Sequence, residues 1–228
     1  MREIVFDTET TGFDPKTGDR MVEIGCVELV NRLPTGKTLQ LYFNPERAMP
    51  PGAFAVHGLS DTFLAQKPLF RDQVEEILEF LEDSPLVAHN AGFDMGFLNA
   101  ELALCERDAI DLGRMIDTVE MARKRHPGGQ NSLDGLCKRY GIDRSHRVKH
   151  GALLDAELLA QVYIELTGGR QMGLSLAAEA ARTAEAAPAR IVRSTRPYRA
   201  PRPHAASAAE LQRHEAFIKA MDNPIWSR

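Results

Sequence analysis

Four acids and one histidine carry the chemistry that this sequence offers. Asp7 and Glu9 lie in the stretch Val5-Phe6-Asp7-Thr8-Glu9-Thr10-Thr11-Gly12, Asp94 closes His89-Asn90-Ala91-Gly92-Phe93-Asp94, and His150 stands five residues before Asp155. In a strand alternate side chains share a face, so Asp7 and Glu9 project together. Carboxylates held side by side repel one another unless a cation lies between their oxygens, and hard divalent cations accept such ligands. Four carboxylates can hold two Mg²⁺ ions, or Mn²⁺ in their place, about 4 Å apart, which stabilises attacking and leaving oxygens in phosphodiester cleavage. An imidazole ordinarily titrates near pH ~6.5, so His150 is suited to take a proton from the attacking water.

Each of these residues also has an ordinary role. A strand end fraying into a turn closed by Gly12 would account for Asp7 and Glu9. An acid in a first helical turn complements the helix dipole, and a histidine before an amphipathic helix is commonly a loop or capping residue. His89 and Asn90 fit a strand-to-helix turn, with a structural role expected for His89. His57 suits a loop or a site equally.

The elements that must hold this set follow from the apolar pattern. Residues 4–6 read as a buried strand, Met21–Val30 as a second and 38–43 as a third, with 31–37 as the turn between the last two. Residues 45–58, rich in Pro and Gly, read as a loop. Asp72 with Glu75 predicts the cap of a helix over 73–82, where Val74, Ile77, Leu78 and Leu81 share a face. Leu86–Ala88 predicts a strand that leads Asp94 into the first turn of the next helix, at the strand end where ligands gather in α/β sheets. Residues 115–118 predict a last strand, followed by helices to about 124 and over 132–140. A long helix over Ala152–Leu166 puts Asp155 in its first turn, with Gly151 freeing the backbone to bring His150 beside it. An antiparallel meander followed by alternating helices and strands predicts an α/β fold, a mixed sheet flanked by helices.

With 228 residues, 43% hydrophobic and 26% charged, the chain has material for one well-buried domain and an appendage. The first residues lack the charged and apolar regions of a secretion signal and no apolar run is long enough for a bilayer, so a cytoplasmic location is expected. Cys26, Cys105 and Cys137 are odd in number and without CxxC spacing, which predicts reduced thiols. The net charge of -4 conceals an asymmetry, because residues 188–228 hold eight Lys/Arg against three acids, leaving a tail of +5 and a remainder of -9. An acidic body suits a polyanionic substrate only if its acids hold metal ions, and a basic tail suggests a separate partner.

Composition changes after residue 170. Residues 171–206, rich in Ala and Pro with few apolar anchors, predict a flexible linker. Its arginines at 190, 193, 196, 199 and 202 would line one edge of a polyproline II helix. Helical periodicity resumes over 208–220 with Leu211, Phe217 and Ile218, and Trp226, the only tryptophan, lies near the end.

DTETTG at 7–12, HNAGFD at 89–94 and HGALLDAELLAQVY at 150–163 resemble the three motifs of the DEDD exonuclease superfamily in its histidine-containing branch. With VHGLSD at 56–61, NSLDGLCKRYGI at 131–142 and TGG at 167–169, residues 1–170 resemble the proofreading-exonuclease family of bacterial DNA polymerase III. The resemblance implies a ribonuclease H-like fold and 3′–5′ removal of nucleoside monophosphates from a single-stranded or frayed DNA end. By motif, Asp7, Glu9, Asp94 and Asp155 become ligands of two divalent cations and His150 the general base, while Thr10 and His57 border the terminal nucleotide. Family members often carry an acid five positions before His57 that contacts the terminal sugar hydroxyl; this chain has Gly52.

The tail resembles the same family. Gln171-Met172-Gly173-Leu174-Ser175-Leu176 is similar to the short peptides by which bacterial replication proteins bind the sliding clamp. Ile191-Val192-Arg193 and the segment 207–228 with Trp226 resemble the part that binds the polymerase (alpha) subunit, and tryptophan is enriched in interface hot spots. Two rival readings stand beside proofreading. One is a DEDD exoribonuclease trimming RNA 3′ ends, which recognition of the 2′-hydroxyl would distinguish; the extended tail weighs against it. The other is a replisome interaction module whose nuclease is secondary, which the full set of five catalytic-type residues disfavours.

Overall fold

A computed structural model describes residues 1–147, 149–168 and 205–221. Five strands form one sheet in the order β3-β2-β1-β4-β5, where β1 is Arg2–Thr10, β2 Met21–Val30, β3 Leu33–Tyr42, β4 Leu86–Ala88 and β5 Met115–Asp117. The first three strands are antiparallel, whereas β4 lies parallel to β1 and β5 parallel to β4. This is the mixed sheet that the meander and the later α/β alternation predict.

Strand β1 is central and buries both faces. Ile4 and Phe6, with Ile24 and Cys26 of β2, pack with Ile77 and Leu81 of α3 (Phe70–Leu81) and Phe97 and Leu98 of α4 (Ala91–Leu104). Val5, Val27, Leu29 and Val87 face the other way and meet Ala156, Leu159, Ala160 and Tyr163 of α7 (Ala152–Leu166). Ile4, Val5 and Phe6 are fully buried, and truncating a side chain such as Phe6 to Ala in such a core costs about 3–5 kcal/mol. The alternation continues past the core, so Asp7 and Glu9 extend the face of Val5 toward α7 while Thr8 extends the face of Phe6 toward α4.

Four local expectations are corrected. The hairpin between β2 and β3 turns on Asn31 and Arg32 alone, with φ of 52° and 63°, the left-handed pair whose twist matches the flanking strands. Pro34 is therefore in β3, an edge strand where a missing N–H is tolerated. Residues 45–58 are not all loop, because α1 (Pro51–His57) starts with proline in its first turn and stops at left-handed Gly58, the positions where those residues favour a helix. Helix α3 starts at Phe70 rather than 73: Asp72 is its third residue, and its carboxylate accepts the Leu69 N–H at 3.1 Å. Gly151 is extended with φ of -162°, a conformation open to any residue, so its special freedom is not what places His150.

Helices α2 (Asp61–Leu64), α5 (Thr118–Arg125) and α6 (Leu133–Tyr140) complete the first unit, which runs to Leu174. Cys26 and Cys137 are buried, Cys105 is half-buried, and all three are free thiols. The second unit, from Ser175, contains α8 (Ala208–Lys219), opened by a capping box in which Ser207 and Glu210 bond each other's backbone N–H. The clamp-like peptide at 171–176, the arginine series at 190–202, Ile191-Val192-Arg193 and Trp226 lie outside the described residues. Among the described residues no helix is long and apolar enough to cross a membrane.

Candidate active site

Strand β1 brings Asp7 and Glu9 to the end of the sheet. Its register with β2 slips between Glu9 and Thr10, Glu9 opposing Glu23 and Thr10 opposing Met21, an irregularity of the kind that re-aims side chains beside active sites. Asp94 is in the first turn of α4, directly after β4, and is buried. Its Oδ1 accepts two hydrogen bonds from Thr8, one from the backbone N–H at 3.0 Å and one from Oγ1 at 2.7 Å. The helix begins at Asn90 in the left-handed region, φ 68°, where asparagine is among the better-tolerated residues. Asp155 is buried in the first turn of α7, whose backbone approaches β2 at Gly25, the β2 partner of Asp7.

Asp7, Glu9, Asp94, His150 and Asp155 all line one cavity of about 830 Å³, together with Thr8, Asn90, Asp134 and Arg147. Within it Glu9, His150 and Asp155 form the tightest group, each offering a ligand atom within 4.8 Å of the others. Asp7 and Asp94 line the same cavity outside that trio. Burial, reinforced by neighbouring acids, pushes the Asp7 carboxyl well above the usual carboxylate range, with Asp94 the largest of those acids. Burial and then Glu23 push Glu9 up to about 8. Burial raises Asp94 to about 7 even though the two Thr8 hydrogen bonds act the other way. Crowded, buried oxygen donors of this kind fit a hard divalent cation, which would relieve both desolvation and repulsion.

Arg147 supplies positive charge there. Its Nε and Nη2 take the two oxygens of Asp155 at 2.5 and 2.7 Å, Nη1 donates to Asp134 at 2.9 Å, and Nη2 donates to His150 Nδ1 at 2.8 Å. Nη2 also lies 3.4 Å from His150 Nε2, so the guanidinium rests against both ring nitrogens. His150 Nδ1 also lies 3.2 Å from Asp155 Oδ2.

Thr10 and His57 line a neighbouring groove of about 640 Å³, which shares Thr8, Glu9 and Phe93 with the first cavity and is bordered by Phe13, Gly52 and Val56. His57 is buried, and its Nδ1 accepts the Leu59 N–H at 3.0 Å, which leaves Nε2 as a buried donor without a partner among the described residues. Burial holds the His57 imidazole below its ordinary pKa, in the neutral form. Thr10 Oγ1 donates to the Gly12 carbonyl at 2.6 Å, and a side chain at Gly52 would meet nothing within 4 Å. His89 also lines the first cavity, and its Nδ1 lies 2.9 Å from Thr118 Oγ1, tying the strand-to-helix turn to α5.

Sequence reasoning did not single out Thr8, Arg147 or Phe13. A hydroxyl between two acids of one strand was the available signal for Thr8, and a basic residue three before the histidine was the signal for Arg147. Phe13, 90% exposed beside the groove, has no signal in its spacing.

A sequence profile of the RNase_T exonuclease family matches residues 4–163. The chain is 46% identical to the DNA polymerase III subunit epsilon of Rickettsia felis over 224 residues, 97% of each chain. It is 42% identical to that of Escherichia coli over 224 residues, covering 95% of this chain and 92% of the other. Among solved structures, the nuclease domain of 3′hExo, a DEDDh family member bound to rAMP, superposes with a TM-score of 0.63 at 17% identity, over 73% of this chain and 91% of that one.

Proposed function

We propose a mechanism from the premise that the chain belongs to the exonuclease family of the DNA polymerase III epsilon subunits, the 3′–5′ proofreading hydrolases of the bacterial replicase. The observation that carries it is the convergence of Glu9, His150 and Asp155 within 4.8 Å, in a cavity that Asp7 and Asp94 also line. Asp7, Glu9, Asp94 and Asp155 would hold two divalent cations, Mg²⁺ or Mn²⁺, which supply charge neutralisation at the phosphate and orientation of water. His150 takes the proton of that water as its oxygen bonds to phosphorus and the bond to the 3′ oxygen breaks. A nucleoside monophosphate leaves, and the departing 3′ oxygen takes a proton from solvent to become the new 3′ hydroxyl of the strand.

The terminal nucleotide of a single-stranded or frayed DNA end occupies the groove of Thr10 and His57, where the unpartnered Nε2–H donor supports contact with a polar ligand group. A mispaired end reaches it more readily because it costs less to unpair. Residues 207–228, including Trp226, bind the alpha subunit, residues 171–176 bind the sliding clamp, and the protein works in the cytoplasm. The domains on this reading are 1–170, 171–206 and 207–228.

The decisive experiment follows Mg²⁺-dependent shortening of 5′-labelled DNA primers, paired or mispaired at the 3′ end, beside an RNA of the same sequence. Stepwise DNA shortening, faster on the mispair, abolished in Asp155→Ala and slowed about 10²–10⁴-fold in His150→Ala, is expected. Preference for RNA would favour the exoribonuclease, for which the open space at Gly52 is the one supporting observation. Trp226→Ala should weaken alpha binding while free single strands are cut as before; unaltered affinity would refute that contact.

A further inference from the structure

We propose that Arg147 is the resident counter-ion of the metal-free site and is exchanged for the divalent cation on loading, an inference that rests on the metal-site reading above. One guanidinium engages two functional groups at once. It takes both oxygens of Asp155, and its Nη2 also lies 2.8 Å from Nδ1 and 3.4 Å from Nε2 of His150. The docked arrangement is therefore a resting one, in which both Asp155 oxygens are engaged by the guanidinium.

A cation between Glu9 and Asp155 would meet the guanidinium at the same carboxylate, and two positive charges at such range repel strongly in a partly dry site. Arg147 does not reach this place from the surface by chance, since its side chain is only 9% exposed. It also has a second acid to hold. Nη1 already donates to Asp134, at the first turn of α6, and Asp134 is about half-exposed and shared with Arg144 at 2.8 Å. Exchange needs only that the fork release Asp155 and His150 while Nη1 keeps Asp134. Release of the fork thereby frees Asp155 as a ligand.

The test is calorimetric titration of the full chain with Mg²⁺ and with Mn²⁺, for wild type, Arg147→Gln and Arg147→Lys, beside unfolding midpoints with and without the ion. Removing a charged hydrogen-bonding competitor should tighten cation binding by about tenfold in Arg147→Gln. The metal-free midpoint should fall while the metal-saturated midpoint stays near that of wild type. Arg147→Lys, which keeps the charge and loses the fork, should lie between. Unchanged or weaker cation affinity in Arg147→Gln overturns the proposal. So does an equal loss of midpoint with and without the ion, which marks Arg147 as a staple of the segment before α7. Absence of cation binding in wild type and variants alike overturns the metal-site reading and this inference with it.

Discussion

A Cβ placed on Gly25 would lie 2.2 Å from the backbone nitrogen of Leu153. Strand β2 and helix α7 thus meet backbone against backbone beside Asp7, and Asp155 follows two residues later on the helix. Gly25→Ala must push the start of α7 away. Overpacking of this sort costs about 1–3 kcal/mol, and an error of about 1 Å at reacting groups can cost about 10²-fold in rate. We expect a lower denaturation midpoint and, at temperatures where the variant is fully folded, a far larger loss of hydrolysis. Activity that simply follows the folded fraction would show that Gly25 serves packing alone.

Thr8 gives Asp94 both its backbone N–H and its hydroxyl. Thr8→Val keeps the β-branched shape and the backbone donor but deletes the bond at 2.7 Å. A hydrogen bond favours the ionised form of the acid it meets, so its loss raises the Asp94 pKa. The acidic limb of the activity profile should move to higher pH, and cation affinity should fall about tenfold, in keeping with a bond to a charged acceptor. Thr8→Ser should restore both. An unmoved profile in Thr8→Val would mean that the backbone donor suffices.

Much of this was legible in the sequence because the signals were local. The alternation Val5, Asp7, Glu9 against Phe6, Thr8 is written in consecutive residues, and Leu154, Leu158, Leu159 and Val162, spaced by three and four along α7, mark it as a helix with an apolar side. Asp94 and Asp155 were placed in first turns by the same patterns, and the three motifs joined segments that no periodicity connects. Turn chemistry was misjudged where one residue type serves two purposes: proline opens α1 although it commonly breaks helices, and Asp72 caps α3 from its third position. Contacts across long separations were not legible. Nothing near Gly25 announces that Leu153 packs on it, and nothing near Arg147 specifies that it will grip Asp155, Asp134 and His150 together. What is expected of 171–206 and Trp226 rests on the tail's own composition and resemblance.

Arg2 and Glu28 give a pH-dependent contribution far from the site. Arg2 Nε donates to Glu28 Oε2 at 2.5 Å and Thr35 Oγ1 donates to Oε1 at 2.8 Å, joining β1, β2 and β3. Arg2 first, then Thr35, hold the Glu28 carboxyl below its ordinary value of 4.5. An acid with a lowered folded pKa adds stability that is present above its unfolded pKa and is lost as pH falls through the folded value. Stability should therefore decline below about pH 4.5, and Glu28→Gln, less stable at neutral pH, should decline less steeply. Parallel acid limbs in thermal unfolding would remove Glu28 from the account.

Glu9 links stability to function with the opposite sign. It is buried opposite Glu23 on β2 and near Asp155 and Asp94, a site that disfavours its charge. Glu9→Gln replaces the carboxylate by a neutral group of the same shape, so the metal-free fold should be as stable as wild type or more so. Loading is where the variant loses. A ligand bound only by the folded state stabilises it by about 2.7 kcal/mol at a hundred times its Kd, and a missing carboxylate weakens that Kd. In wild type, Mg²⁺ should raise the unfolding midpoint in proportion to the logarithm of its concentration, and chelation should reverse the gain. In Glu9→Gln the rise should require higher Mg²⁺ and accompany lost hydrolysis. Equal Mg²⁺ dependence in the two proteins would place the cation away from Glu9.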